Sequence, residues 1–197
     1  MNTKVMKKVT AATIAVVAAG ALFSLTNKPV DASETVDVKL EVEEGIVTIG
    51  STGAFDMGTI SASTSVQVIE NQFTGTDNAF FVEDLKGADA GYYTTISSTD
   101  MVGANGTISN TNIYLKTPDA TTSLITGTAN TDVVVAAAFD NTYQSLDTAR
   151  TFIQRASGTN SGRIGQYGVL PFLQINVPAF QAVGEYSATL TYTLYEN

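Results

Sequence analysis

The sequence predicts an all-β protein, a single β-sandwich of about ten short strands joined by Greek-key-like connections. Three observations predict this fold class. Apolar and polar residues alternate with a period of two in segment after segment, and clusters of Gly, Asn, Asp, Ser and Thr separate these segments. Helical periodicity is hard to find after the first thirty or so residues. No internal repeat and no Pro- or Gly-rich linker divides the chain, so we expect one domain over residues 33–197.

The first 32 residues have the pattern of a signal peptide. Lys4, Lys7 and Lys8 form a basic start, Val9 to Leu25 is an apolar run of small residues, and the tripeptide ending at Ala32 approximates the pattern that signal peptidase prefers. The apolar run is short for a permanent anchor across about 30 Å of hydrocarbon. We therefore expect a signal peptide over residues 1–32, a secreted protein, and no membrane contact in the mature form.

The predicted strands follow one another along the rest of the chain. They cover Val36–Val42, Ile46–Ile49, Phe55–Ile60, Ser65–Glu70, Ala79–Asp84, Tyr92–Ser97, Asn112–Thr117, Asp132–Phe139, Val169–Val177 and Glu185–Tyr195. Asp132–Phe139 is a continuous apolar run, which predicts a strand covered on both faces. Residues 144–155 are the exception, because Leu146, Ala149 and Phe152 approximate a helical stripe. A short helix near 144–155 therefore stays open as an alternative.

The last predicted strand, Glu185–Tyr195, has the clearest alternation. One face carries Tyr186, Ala188, Leu190, Tyr192 and Leu194, and the other carries Glu185, Ser187 and three threonines. A slip of one residue would move the whole apolar set into water, so the register is strongly specified. We expect this strand to lie in the middle of a sheet.

The chain is acidic, with a formal net charge of −9. The first 32 residues contain four lysines and one aspartate, so the remainder carries a net charge of −12. Such a charge repels nucleic acid and anionic lipid, which predicts no nucleic-acid partner and no membrane partner. Acidic wall polymers should be repelled as well, so that binding to a cell wall has to use uncharged groups.

The residue types present argue against catalysis. The chain contains no Cys and no His, so neither a Ser-His nor a Cys-His nucleophile can form within it. A carboxylate pair for glycoside cleavage is formally open, but no two acids stand out from the loops. Acidic loops at 74–80 and 139–147 lack the regular spacing of a calcium loop, and solvated loops are the favoured interpretation. We expect a protein that is not an enzyme and has no cofactor.

Two segments resemble the motifs of WxL-domain proteins, a family of cell-surface proteins of Gram-positive bacteria. The segment VPAFQAVGEYSATLTYTL, Val177 to Leu194, is similar to the C-terminal signature of the family, with Tyr192 at the position of its tryptophan. The segment VEDLKGADAGYYTTIS, Val82 to Ser97, looks like the earlier Trp-x-Leu motif, with Tyr92 in place of the tryptophan and Thr94 in place of the leucine.

The resemblance implies how the protein is held where it works. WxL domains attach non-covalently to peptidoglycan, so the expected location is the bacterial cell surface or cell wall, and the expected partners are cell-wall glycan or other surface proteins. The alternative is a structural subunit of a surface filament, assembled by adding a strand such as Ser33–Val42 to the sheet of a neighbour.

Four tyrosines are the candidate binding residues: Tyr92, Tyr93, Tyr186 and Tyr192. An aromatic ring offers a platform on which a sugar can stack, and Tyr92 and Tyr93 stand together after Gly91. The competing interpretation is structural, because aromatic residues are enriched in strands and two consecutive ones place one ring inside and one outside. The glycines of the DLKGADAG turn could hold an anion through backbone amides, but more often such glycines supply positive φ angles.

Overall fold

The computed structural model describes residues 40, 45–51, 54–75, 80–87, 90–158 and 163–196. All of these except Leu40 belong to one compact unit, Val42–Asn197, and Leu40 belongs to the other, Met1–Glu41. The predicted signal peptide lies outside the described residues, and so does the predicted strand Val36–Val42 apart from Leu40.

The described residues form fifteen short strands, where the sequence predicts about ten. In chain order these are β1 Val47–Gly50, β2 Gln67–Gln72, β3 Phe80–Asp84, β4 Tyr92–Ser98, β5 Met101–Gly103, β6 Gly106–Ile108, β7 Ile113–Lys116, β8 Ser123–Gly127, β9 Val133–Val135, β10 Gln144–Ser145, β11 Arg150–Arg155, β12 Gly165–Val169, β13 Phe172–Val177, β14 Tyr186–Ser187 and β15 Leu190–Glu196. Two 3₁₀ helices, Asn110–Asn112 and Ala137–Phe139, complete the regular structure of this part of the chain.

The strands pair in four antiparallel sheets. Sheet A has the order β1-β3-β12-β8, sheet B the order β10-β7-β13-β2, sheet C the order β15-β4-β11-β9, and sheet D the order β14-β5-β6. Among the described strands, β5 and β6 are the one pair that is consecutive in sequence. Every other pair joins strands that are separated in sequence by at least one strand, so the chain passes from sheet to sheet between them. The predicted fold class, an all-β sandwich-like arrangement of antiparallel sheets, is confirmed.

Sheets A and C face each other across the core. Phe80 of β3 makes edge-to-face ring contacts with Phe152 of β11, at 5.8 Å between centroids, and with Tyr192 of β15, at 5.4 Å. Asp84 of β3 is bonded to Arg155 of β11 between the same two sheets. Each buried aromatic or branched aliphatic side chain in this core contributes about 1.5–3 kcal/mol through the removal of apolar surface from water.

Sheets A and B are connected by consecutive strands of the chain. Only Leu170 and Pro171 separate β12 from β13, and Phe73 donates its backbone N–H to the Pro171 carbonyl at 3.0 Å. Proline has no N–H to donate, so the ladder is interrupted at this position and the single predicted strand Val169–Val177 becomes two.

The alternative of a helix near 144–155 is wrong, because the segment forms β10 and β11. Buried Leu146 lies between them and links two sheets, since its N–H donates to the Ile113 carbonyl and its carbonyl accepts from the Ser98 N–H, both at 2.9 Å. The adjacent apolar residues that suggested a helical stripe, Phe152 and Ile153, are both buried at an irregularity in the pairing of β11 with β4.

Three further expectations need correction. Among described residues, the predicted strand Phe55–Ile60 is irregular chain that stacks the Phe55 ring on Phe73 at 3.9 Å. The run Asp132–Phe139 is not one strand covered on both faces, because β9 is short, pairs at one end of sheet C and continues into the 3₁₀ helix Ala137–Phe139.

The final predicted strand is also broken and misplaced. Ala188 and Thr189 separate β14 from β15, which belong to different sheets. Within the part of the chain that the structure describes, β15 pairs only with β4 and lies at an edge of sheet C, not in its middle. Alternation fixes which face of a strand is buried, but it carries no information on the order of strands in a sheet.

Candidate functional site: the outer face of sheet C

The structure separates the four candidate tyrosines. Tyr92 is buried, with 1% of its surface exposed, whereas its neighbour Tyr93 lies on the opposite, outer face of sheet C and is half-buried. The Tyr192 ring points into the core against Phe80, and Tyr186 lies in sheet D. The four rings therefore do not form one surface, and Tyr93 alone is placed on the outer face of sheet C.

Tyr92 and Tyr192 are parts of the core. Burial and the nearby Asp84 carboxylate raise the pKa of Tyr92 far above its ordinary value, and burial raises the pKa of Tyr192 in the same direction. Within the described residues, the buried Tyr92 hydroxyl has no hydrogen-bond partner. Both rings therefore contribute to packing between sheets A and C.

Tyr186 fixes a loop. Its hydroxyl donates to the Ala182 carbonyl at 2.6 Å and accepts from the Gln181 side-chain amide at 2.8 Å. Both hydrogen-bonding roles of the hydroxyl are therefore used within the five residues that precede it.

Tyr93 forms an outward-facing pair with Tyr195, a residue that the sequence interpretation did not select. The two residues are directly paired across β4 and β15, and their rings stack with centroids 5.0 Å apart and planes 12° from parallel. Tyr195 is 45% exposed. A signal for it exists in the sequence, because Tyr195 has the same parity as Thr191 and Thr193 on the polar face of the strand.

A groove of about 520 Å³ runs beside this pair on the outer side of sheet C. The outward side chains that line it come from three strands and the loop before β9: Tyr93, Thr131, Asp132, Val134, Thr151 and Gln154. The paired residues Val134, Gln154, Tyr93 and Tyr195 form one row across all four strands, and Thr151, Thr95 and Thr193 form a second row beside it.

A β-bulge in β11 creates this arrangement. Thr151 pairs with Thr95 and Gln154 pairs with Tyr93, so β11 uses three steps where β4 uses two. In a regular strand, residues 151 and 154 would face opposite sides. The bulge at Phe152 and Ile153 therefore turns Gln154 outward into the groove, and it turns Arg155 inward to bond Asp84 at 2.5 Å.

Thr94 satisfies the backbone groups that the bulge leaves without ladder partners. Its hydroxyl accepts a hydrogen bond from the Ile153 N–H at 2.8 Å and donates one to the Ile153 carbonyl at 3.0 Å. Thr94 is fully buried, so both bonds are protected from water. A leucine at this position could make neither bond.

Uncharged hydrogen-bonding side chains line the groove. Within the described residues, the Tyr93 hydroxyl, the Gln154 amide and the Thr151 hydroxyl make no side-chain hydrogen bond. Among the described residues that line the groove, Arg155 is the one cation, and it is buried on the inner face beside Asp84. The site can therefore donate and accept hydrogen bonds and offer an aromatic surface, and none of its described lining residues is an exposed cation.

The other candidate sites do not assemble in the described part of the chain. In the DLKG turn, the amides of Lys86 and Gly87 both donate to the Asp84 carboxylate, so they are not available to a bound anion, and Gly87 has a φ of 60°. Among described residues, no group of three or more His, Cys, Asp or Glu could hold a metal ion; residues 76–79 of one acidic loop lie outside them.

No helix in the described residues has both the length and the apolar character required to cross a membrane. Comparisons of the chain with protein-family models, with curated proteins and with solved structures find no match.

Proposed function

We propose that this chain is a secreted, non-enzymatic protein of the bacterial surface that binds the cell wall through the outer face of sheet C. The signal-peptide pattern supports secretion, and the resemblance of Val177–Leu194 to WxL domains supports a cell-wall location. The single observation that carries the proposal is the stacked pair of Tyr93 and Tyr195 beside a groove lined with uncharged hydrogen-bonding side chains.

This face suits a wall glycan better than the alternatives considered. Aromatic side chains combine a large apolar surface with a polar tip, which suits ligands that are apolar on one face and polar at their edges. The net charge of −9 disfavours nucleic acid and anionic lipid.

Co-sedimentation with purified peptidoglycan tests the proposal. We expect the purified protein to sediment with peptidoglycan at both low and high salt, and we expect the Y93A/Y195A double variant to remain in the supernatant. Tyr114→Ala is the matched control, because Tyr114 is a half-buried tyrosine on sheet B. If the unaltered protein stays in the supernatant at both salt concentrations, the wall-binding proposal is wrong.

A second candidate, the subunit of a surface filament, is favoured by the position of β15. Within the described residues this seven-residue strand has a partner on one side only, and such an edge is a template for strand addition. Filaments in electron micrographs of the purified protein would support this function, and discrete monomers in size-exclusion chromatography would refute it.

A further inference from the structure

We infer that the groove of sheet C takes an uncharged polysaccharide whose pyranose rings lie across the strands, with Tyr93 and Gln154 as its main contacts. This inference deepens the proposed function and rests on it. It names the chemical class of the ligand, the direction in which the ligand runs and the residues that discriminate between ligands.

The aromatic contact follows from the geometry of the ring pair. The rings of Tyr93 and Tyr195 are nearly parallel, so each covers one face of the other. Tyr93 also lines the groove, so its second face is the one directed toward Gln154, its paired neighbour on β11. Tyr195 thus supports the Tyr93 ring from behind and limits its rotation, and a sugar ring can stack on the groove side of Tyr93.

The polar contacts follow from the bulge. Gln154 offers one acceptor and two donor hydrogens, and Thr151 offers a hydroxyl that both donates and accepts. Neither side chain has a hydrogen-bond partner within the described part of the protein. Both face the groove because the extra residue of the bulge places positions 151 and 154 on the same side of β11. Sugar hydroxyls, which also donate and accept, are the natural partners of such a set. Thr94 is accordingly a positioning residue for Gln154.

The direction in which the polysaccharide runs follows from the two rows of outward side chains. The first row runs perpendicular to the strands from Tyr195 through Tyr93 and Gln154 to Val134, and the threonine row runs parallel to it. Neighbouring strands lie about 4.8 Å apart, so four strands span roughly 14 Å. An extended oligosaccharide that crosses the strands meets the aromatic ring first and the amide next, with hydroxyls along one side.

Charge disfavours anionic polymers in the same groove. The chain has a formal net charge of −9, and Arg155, the one cation among the described residues that line the groove, is buried against Asp84. A phosphate or carboxylate on the ligand would therefore be repelled by the acidic chain and would meet no exposed cation among the described lining residues.

Isothermal titration calorimetry with hexasaccharides tests the inference on the purified chain. Cellohexaose and hexa-N-acetylchitohexaose are the uncharged probes, and oligogalacturonate of the same length is the anionic probe. We expect at least one uncharged probe to bind with little dependence on salt, and no binding of oligogalacturonate. Y93A should weaken binding about tenfold or more, which corresponds to 1.4 kcal/mol or more; Q154A should weaken it less, and Y93F should also weaken it less than Y93A because it keeps the ring and removes only the hydroxyl. Y114A should bind like the unaltered protein.

Four results would overturn the inference: tighter binding of oligogalacturonate, binding of an uncharged probe that Y93A leaves unchanged, equal weakening by Y114A, or no binding of any probe. Because Y93F keeps the ring, it separates loss of stacking from a general loss of structure, and a melting curve for each variant checks its folding. If the chain sediments with peptidoglycan and Y93A/Y195A does not, but no hexasaccharide binds, the proposed function survives and this inference fails. If a hexasaccharide binds through Tyr93 but peptidoglycan does not, the inference stands and the wall-binding function fails.

Discussion

Thr94→Val removes one hydroxyl and tests the role of the bulge in β11. The two side chains have nearly the same shape, so the substitution leaves no large cavity. It removes both hydrogen bonds to Ile153, the one accepted from its N–H at 2.8 Å and the one donated to its carbonyl at 3.0 Å. Because Thr94 and Ile153 are both buried, no water replaces the lost partner.

The magnitude follows from the cost of burying unsatisfied polar groups. Each such group costs about 1–3 kcal/mol, so the N–H and the carbonyl together should lower the free energy of unfolding by about 2–6 kcal/mol. For a domain of this size, about 1 kcal/mol shifts the melting temperature by roughly 2–4 °C, which gives a decrease of roughly 4–24 °C. Thr94→Ser keeps the hydroxyl and loses one methyl group, so its cost should be about 1 kcal/mol.

Urea denaturation and thermal melting of the two variants measure this difference. If T94V is as stable as the unaltered protein, or less destabilised than T94S, the hydroxyl does not hold the bulge. The same variants connect the bulge to the site, because T94V should also weaken glycan binding relative to T94S by releasing Gln154 from its outward position.

Three other predictions concern the core between sheets A and C. Y92F should leave the free energy of unfolding unchanged or raise it by about 1 kcal/mol in urea denaturation, because it removes a buried hydroxyl without a partner among described residues; a loss above 1 kcal/mol would contradict this. D84A should lower the free energy of unfolding by about 3–5 kcal/mol, because it removes the carboxylate that bonds the buried Arg155 guanidinium, and D84L/R155M should recover most of this loss; equal losses for the two variants would contradict the ion-pair argument. The raised pKa of Tyr92 and Tyr192 means that the unfolded chain releases these protons first, so stability is complete below pH 10 and falls above it; melting temperatures that stay constant in that range would refute this.

Alternation along the chain was enough to predict the all-β fold class and, in the strands it identified correctly, which residues face the core. Tyr92 lies inside and Tyr93 outside, as two consecutive residues of a strand must. The apolar face of the last strand also points the right way, since Leu190, Tyr192 and Leu194 pack against the core. These are local properties, and the period of two encodes them directly.

The site could be predicted only in part, because it depends on pairing between distant segments. Tyr195 meets Tyr93 across a pairing of residues about a hundred positions apart, and no local pattern specifies that register. The bulge could not be predicted from the sequence for another reason. Phe152 and Ile153 are adjacent apolar residues, and such a pair is as typical of an amphipathic helix as of a bulged strand. The edge position of β15 likewise depends on strand order and not on its own residues.

Binding of an uncharged glycan at the outer face of sheet C can be located by nuclear magnetic resonance of the isotope-labelled protein, titrated with hexa-N-acetylchitohexaose and cellohexaose. We expect saturable shifts concentrated at Tyr93, Thr151, Gln154 and Tyr195. Shifts confined to sheets A and B, or no shifts with either sugar, would show that this face is not the binding site.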